Sequence, residues 1–260
     1  MESNHEFCRD VVLALLAGGG RAAAKVLDYG CGGAQVVRAL RGAGVEAYGA
    51  DVFYEGGSHL SALQSDPLFQ SGVIRKMEGD RTDFADGMFD IVFNNQVLEH
   101  VEDLDRVLTE IDRVLKPGGS VLSLFPDRGV WREGHCGIPF LHRFPKGSRL
   151  RIGYAFALRT LGLGYFKDGR TRWDWATNFC DWLDKWTFYR SLGQIHQSFE
   201  RRFDDLQHIE DEYLVFRLKR TRLAALAGTA TLPWTRPTAR FVVRRMMGLV
   251  FTARKPLAAS

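Results

Sequence analysis

One run constrains this chain more than any other: Lys25-Val26-Leu27-Asp28-Tyr29-Gly30-Cys31-Gly32-Gly33. Its first five residues read as a short buried strand, and the glycines that follow at once open backbone conformations closed to other residues. Ala34 to Arg41 then resumes a helical pattern. A strand that feeds a glycine turn and a helix start lets the backbone approach a ligand closely, as in nucleotide-binding turns. A second strand, Val45 to Ala50, ends at Asp51, about 20 residues beyond the turn, where a carboxylate can accept both hydroxyls of a ribose. The implied ligand carries an adenosine-like ribose. A nicotinamide-dinucleotide fingerprint requires GxGxxG, and Gly30-Cys31-Gly32-Gly33-Ala34-Gln35 lacks that spacing.

The rest of the chain extends the alternation. Apolar spacing predicts a helix over His5 to Ala17, a helix-like stretch from Ser58 to Gln70 and a weak strand from Val73 to Met77. A strand from Phe89 to Asn94, a helix from Leu104 to Leu115 stopped by Lys116-Pro117-Gly118-Gly119, and a strand from Ser120 to Phe125 follow. From Pro126 to about Trp186 the alternation dissolves into aromatic and basic residues. It returns with a helix near Trp186 to Arg201, a strand around Phe203 to Ile209 and a last strand from Met247 to Arg254. The expected fold is α/β: a Rossmann-like, seven-stranded, mostly parallel sheet with helices on both faces and an inserted cap after strand 5. Residues 1–130 and 187–260 would form the core, and 131–186 the cap. At 45% hydrophobic and 25% charged, the 260 residues exclude disordered, collagen-like and coiled-coil classes. Cys8, Cys31, Cys136 and Cys180 lie far apart with no CxxC pair, so no disulfide framework or structural zinc is expected. With no basic-then-apolar leader pattern at Met1 to Glu6, the expected location is the cytoplasm.

Val26 to Gly32 resembles motif I of the class I S-adenosylmethionine-dependent methyltransferases, of the type 11-like group. Phe89-Asp90-Ile91-Val92 with Val97-Leu98-Glu99-His100-Val101 is similar to their fourth-strand region. Leu115-Lys116-Pro117-Gly118-Gly119 resembles the turn before their fifth strand, and Phe251 to Pro256 their last antiparallel strand. One departure is visible: the family's third glycine aligns with Ala34. The resemblance implies S-adenosyl-L-methionine as cofactor and methyl transfer as the reaction. It implies that Asp28 orients the methionine end, that Gly30, Cys31 and Gly32 line it, that Asp51 holds the ribose, and that Val52 packs on the adenine. Glu78 and Asp80 compete to meet the adenine amino group, with the spacing to Phe84 favouring Glu78. Asn94 would offer a backbone contact to the methionine amine.

The acceptor leaves fewer marks. A methyl transfer to a hydroxyl needs a base, and the candidates are Glu99, His100, Glu133, His135 and His142. Trp131 to Arg143 follows the fifth strand, so it lies at the carboxyl edge of the sheet where ligands bind. A neutral His135 there can take a proton near pH 7, with Glu133 orienting it and His142 as a second candidate. Ubiquinone-biosynthesis O-methyltransferases carry Glu-x-x-Glu-His for a divalent metal. Gln96-Val97-Leu98-Glu99-His100 lacks the first carboxylate, so no metal is expected. Asn94-Asn95-Gln96-Val97 differs from the Asn/Asp-Pro-Pro-Tyr of amino-methylating nucleic-acid enzymes, and no cysteine follows a proline; no nucleic-acid partner is expected. The expected acceptor is a small, glycan or lipid-linked molecule, with O-methylation as the reaction. A protein acceptor, or a regulatory or scaffold protein that binds S-adenosylmethionine without turnover, are the alternatives.

Charge adds a partner class. Nine Lys/Arg face only Glu133 and Asp168 between Trp131 and Arg172, and Arg143, Lys146, Arg149 and Arg151 suit a phosphate or carboxylate on the acceptor. After Glu212 there is no acidic residue, while ten Lys/Arg occur from Arg217 to Lys255. The apolar stretch Leu223 to Trp234, too short to span a bilayer, sits within that basic third. It is a candidate for peripheral membrane contact, with packing on the sheet between the sixth and seventh strands or a homodimer seam as the ordinary alternative.

Overall fold

The computed structural model describes residues 3–19, 23–53, 63–167 and 169–257. Its sheet is built from β1 (Lys25–Tyr29), β2 (Glu46–Asp51), β3 (Ile74–Lys76), β4 (Phe89–Asn95), β5 (Leu115–Phe125), β6 (Asp204–His208) and β7 (Leu249–Arg254). The spatial order is β3-β2-β1-β4-β5-β7-β6. Neighbouring strands run parallel except at β7, which is antiparallel to both β5 and β6.

Side chains on a strand alternate between faces, and here both faces are apolar. Val26, Ile91, Phe93, Leu122 and Val250 pack on one side with α1 (Ser3–Gly19) and α2 (Gln35–Gly42). Leu27, Val92, Val121 and Phe251, their immediate neighbours in sequence, pack on the other with α4 (Leu104–Val114) and α7 (Leu192–Glu200). The helix α4 shows why such a sequence makes a helix there. Leu104, Val107, Leu108, Ile111 and Val114 form one buried stripe, and the Asp103 side chain caps the first turn by accepting from Arg106 N.

Several expected boundaries move. Of the helix-like stretch 58–70, residues 58–62 lie outside the described residues, and a single turn, α3 (Pro67–Gln70), forms in the rest. Lys116 to Gly119 does not separate helix from strand; it bulges within β5, where the pairing jumps from Phe89↔Leu115 to Ile91↔Ser120. Lys116 is held there by Asp90 at 2.7 Å. The segment after β5 is more regular than its sequence suggests, because it folds α5 (Arg149–Thr160) and α6 (Arg172–Trp186). Cys136, Ile138, Leu141, Ala155, Trp175 and Leu183 give those helices a buried cluster of their own. Trp186 ends α6 rather than starting α7, and Thr187 to Arg190 runs between them without helix.

Between β6 and β7 lie α8 (Glu210–Leu218), a 3-10 stretch (Ala224–Thr231) and α9 (Arg236–Met246). The α9 cations are largely engaged. Arg236 and Arg240 pair with Asp211 at 3.1 and 2.6 Å, and Arg244 with the buried Glu210 at 2.8 Å. No helix among the described residues is long and apolar enough to cross a membrane.

Candidate active site

The strand order reverses between β1 and β4, and in open α/β sheets the crevice at the carboxyl end of that switch point is where ligands bind. A cavity of about 710 Å³ occupies it, lined by Asp28, Gly30, Gly32, Asp51, Val52 and His100 among others. The turn after β1 is shaped by its neighbours. Gly30, at φ +83°, has Val97 so close that an added Cβ would lie 2.3 Å from a methyl carbon, so no other residue fits without moving β4's exit loop. Gly32 N donates to Asp51 at 2.8 Å, and the other Asp51 oxygen accepts from Phe53 N at 2.8 Å. Those two bonds hold the carboxylate at the mouth of β2. Ala34, fully buried, adopts a left-handed φ of +56° just before α2. That conformation is free to glycine and costs an alanine roughly 1–2 kcal/mol.

Asp28, 3% exposed, is pushed well above the usual carboxylate range by burial and then by the Asp51 charge. Cys31, also in the lining, is likewise raised by burial first and then by the Asp28 and Asp51 charges. Two of the residues expected at the ligand lie elsewhere. Glu78 is not in the lining, whereas Met77, Gly79 and Asp80 are. Glu78 bridges Arg81 across the turn, and Asp80 is held inward because its carbonyl accepts from Tyr29 Oη at 2.7 Å. Asn94 is fully buried and donates to Ser123 at 3.0 Å; Asn95 and Gln96 take the place at the cavity.

Beside the cavity the inserted segment supplies a polar network. The turn Glu133 to Gly137, closed by Gly137 N to Glu133 O at 2.9 Å, brings His135 Nδ1 to 2.6 Å from Glu133 Oε1. Glu133 is fully buried and satisfied by Cys136 N at 2.7 Å and Tyr189 Oη at 2.8 Å as well. Burial alone would raise its pKa, but His135 and these bonds outweigh it and hold Glu133 at about 2. Burial likewise disfavours the His135 cation, yet the Glu133 bond and charge raise its pKa above the ordinary 6.5. His135 Nε2 then faces His100 Nε2 at 3.3 Å. His100, which lines the cavity, has Nδ1 2.6 Å from the Trp186 carbonyl and is lowered by burial. A carbonyl can only accept, so His100 Nδ1 carries the proton and its Nε2 offers a lone pair. His135 Nδ1 is committed to Glu133 in the same sense. Two ring nitrogens that face each other this way can share a proton or hold a metal ion between them.

Glu99 completes the group. It is 1% exposed, neither carboxyl oxygen has a hydrogen-bond partner, and burial pushes its pKa to about 8. Ligand atoms of Glu99, His100 and His135 all lie within 4.8 Å of one another. Gln96 lacks the carboxylate that argued for a metal in this stretch, but the inserted segment brings a third donor, His135, from elsewhere in the chain. His142 does not join them. Its Nε2 lies 3.2 Å from the Arg128 carbonyl and its ring packs on Tyr189 at 4.8 Å, facing a separate cavity. Tyr189 and Trp182, whose ring centre is 4.9 Å from that of His135, were not singled out by the sequence. No motif spacing links them to His135; only the turn after α6 and the packing of α6 do.

Comparison with known proteins bears on the same region. Residues 27–123 match the family model described as "Methyltransferase domain". A malonyl-[acyl-carrier protein] O-methyltransferase of Erwinia billingiae is 35% identical over 98 residues, which are 38% of this chain and 37% of that protein. A ubiquinone biosynthesis O-methyltransferase of Methylococcus capsulatus is 34% identical over 101 residues, 37% of this chain and 41% of the relative. The matches thus span about two fifths of those relatives' lengths. A crystal structure of an S-adenosylmethionine-dependent methyltransferase from Mesorhizobium loti superposes with a TM-score of 0.51 at 17% identity, covering 90% of this chain and 91% of the other. That likeness is one of fold.

Proposed function

We infer that this chain, which matches a methyltransferase domain over residues 27–123, is a class I S-adenosylmethionine-dependent O-methyltransferase of a small, glycan or lipid-linked acceptor. The observation that carries this reading is the His135–Glu133 pair, joined through His100 to the mouth of the Asp28–Asp51 cavity. S-adenosyl-L-methionine, when bound, supplies an electrophilic methyl group on a sulfonium. The protein's own part is to bind a cation, align an acceptor and take a proton. Asp28 and Asp51 suit a ligand that is cationic at its methionine end and offers ribose hydroxyls. Val52 and Met77 supply apolar wall, and Asp80 is the carboxylate at hand for an adenine amino group.

The hydroxyl proton passes to the facing Nε2 atoms of His100 and His135 and rests on His135, whose cation Glu133 stabilises. Tyr189 and Cys136 N keep Glu133 in place, so the imidazole holds one orientation. Residues 131–186 act as a cap over the acceptor, with their own apolar cluster to stand on. That two relatives are O-methyltransferases, one acting on a carrier-linked malonyl group and one in ubiquinone biosynthesis, favours oxygen as the acceptor atom. The test is transfer of labelled methyl from S-adenosylmethionine to a metabolite extract. His135→Ala is expected to lower turnover by roughly 10²–10⁴ with cofactor affinity nearly intact. Full activity in that variant overturns the role of His135. Cofactor binding without turnover over a broad acceptor panel would favour a binding protein instead.

The unpartnered Glu99 carboxyl favours a second reading, in which a divalent ion joins Glu99, His100 and His135. Two imidazoles and one carboxylate suit zinc or cobalt better than magnesium. A bound ion would lower the acceptor's pKa by direct coordination. Chelator-treated protein that regains activity with zinc or cobalt selects this reading, and unchanged activity after chelation selects the metal-free one.

A further inference from the structure

Tyr189, which donates to Glu133, also lines a separate cavity of about 310 Å³ that the methyl-transfer reading does not use. Its lining contains Arg128, Lys146, Arg151 and Arg190, together with His142 and Tyr189, and no carboxylate. Arg151 is 3% exposed, and its Nε has no hydrogen-bond partner. His142, whose Nε2 faces the Arg128 carbonyl at 3.2 Å, is neutral and adds no donor to the cavity. A buried guanidinium N–H left unsatisfied is costly, and a ligand with acceptor oxygens would satisfy it.

The nearby charges leave the cavity positive. Asp184 pairs with Arg151 through one oxygen and accepts Gly147 N with the other at 2.6 Å. Asp184 thus offsets Arg151, Asp103 and Asp105 act on Arg190, and the Glu133 charge reaches His142 from behind Tyr189, so the cavity's positive charge is carried by Arg128 and Lys146. Lys146 gives one proton to the Asp184 carbonyl at 2.7 Å and lies 4.0 Å over the Phe188 ring. Two of its N–H donors remain. Arg190 is fixed by carbonyls, those of Val101 and Glu102 at 2.7 Å each, so its charge is present without being mobile. Arg128 is exposed at the rim.

We propose that this cavity binds a phosphomonoester dianion. A tetrahedral group with three terminal oxygens can meet donors that approach from Arg128, Lys146 and Arg151 on different elements, where a planar carboxylate reaches two. The volume exceeds that of a bare anion and leaves room for the ester carbon. Tyr189 belongs to this wall and also holds Glu133, so the site adjoins the proton-accepting network. The further statement that the phosphate is the acceptor's own rests on the methyl-transfer reading; the anion site does not.

The experiment is titration calorimetry of the full chain with glycerol phosphate, inorganic phosphate, acetate and glycerol, without cofactor. Glycerol phosphate is expected to bind, with glycerol and acetate at least tenfold weaker. Arg128→Gln/Lys146→Gln, both exposed and therefore compatible with folding, is expected to weaken the ester by at least tenfold. Arg151→Gln gives the same loss if its melting temperature stays within a few degrees of the parent. Absence of ester binding, equal binding of acetate, or an unaltered affinity in the double variant overturns the site. Inorganic phosphate binding tighter than the ester overturns its assignment to the acceptor and leaves a free-phosphate site. S-adenosylmethionine binding, titrated separately, tests the methyl-transfer reading and leaves the anion site untouched by its failure.

Discussion

Glu99→Gln replaces a buried carboxyl with an uncharged group of the same shape. Burial holds the wild-type group at about 8 against an ordinary 4.5, with the His135 cation pulling down and Glu133 pushing up from the facing segment. The unfolded chain therefore releases this proton at lower pH than the fold does. Protein stability falls as pH rises from about 4.5 toward 8, because over that range the unfolded state binds fewer protons. At pH 7, about 2.5 pH units above the ordinary value, the fold forgoes roughly 3 kcal/mol, at about 1.4 kcal/mol for each pH unit. Gln has no such proton to lose. The expected result, read from urea midpoints in the presence of chelator, is near-equal stability of the two proteins at pH 4.5. At pH 7 the variant should gain up to about 3 kcal/mol. Parallel pH profiles for both proteins would refute the claim that Glu99 is held neutral in the fold. If added zinc reverses the order at pH 7 by stabilising only the wild type, an ionised, metal-bound Glu99 is indicated.

Other outcomes follow from the same geometry. Asp51→Ala should weaken S-adenosylmethionine by well over tenfold in calorimetry, since each hydrogen bond to a charged group contributes roughly 1.5–3 kcal/mol; an unchanged affinity with the fold intact would remove Asp51 from the site. Methyl transfer should rise with pH along a limb above 6.5, because His135 must lose its proton to act and its pKa is raised. Glu133→Gln should move that limb to lower pH and reduce the plateau, and an unmoved limb would place the base elsewhere. If the segment from Leu223 to Trp234 meets a membrane, Trp234, 74% exposed, is the residue to test. Co-sedimentation with anionic vesicles should occur at low salt and decline in Trp234→Ser, a better probe than Arg244, which is tied to the buried Glu210. Absence from the pellet at low salt would overturn membrane contact through this segment.

The core was legible in the sequence because its signals are local. A strand buried on both faces reads as an apolar run, a glycine turn must be made of glycines, and Asp51 follows at a spacing set by one βαβ unit. Asp28, Gly30, Gly32, Asp51 and Val52 accordingly line one cavity. The Glu133–His135 pair, two residues apart, was within reach for the same reason. The choice between Glu78 and Asp80 was not, since the turn after β3 decides which side chain faces inward, and Tyr29 Oη holds that turn from another strand. Nor was the irregular stretch after β5, where α5 and α6 are held by a small apolar cluster of their own. Above all, nothing in the spacing relates residues 99–100, 133–135 and 189. Burial of Glu99, the facing of two imidazoles and the bond from Tyr189 to Glu133 exist because β4, the insertion and the turn after α6 converge. Local chain chemistry determined the strands, the glycine turn and the carboxylates that line the cavity, and long-range packing decided which imidazoles and carboxyl groups meet beside it.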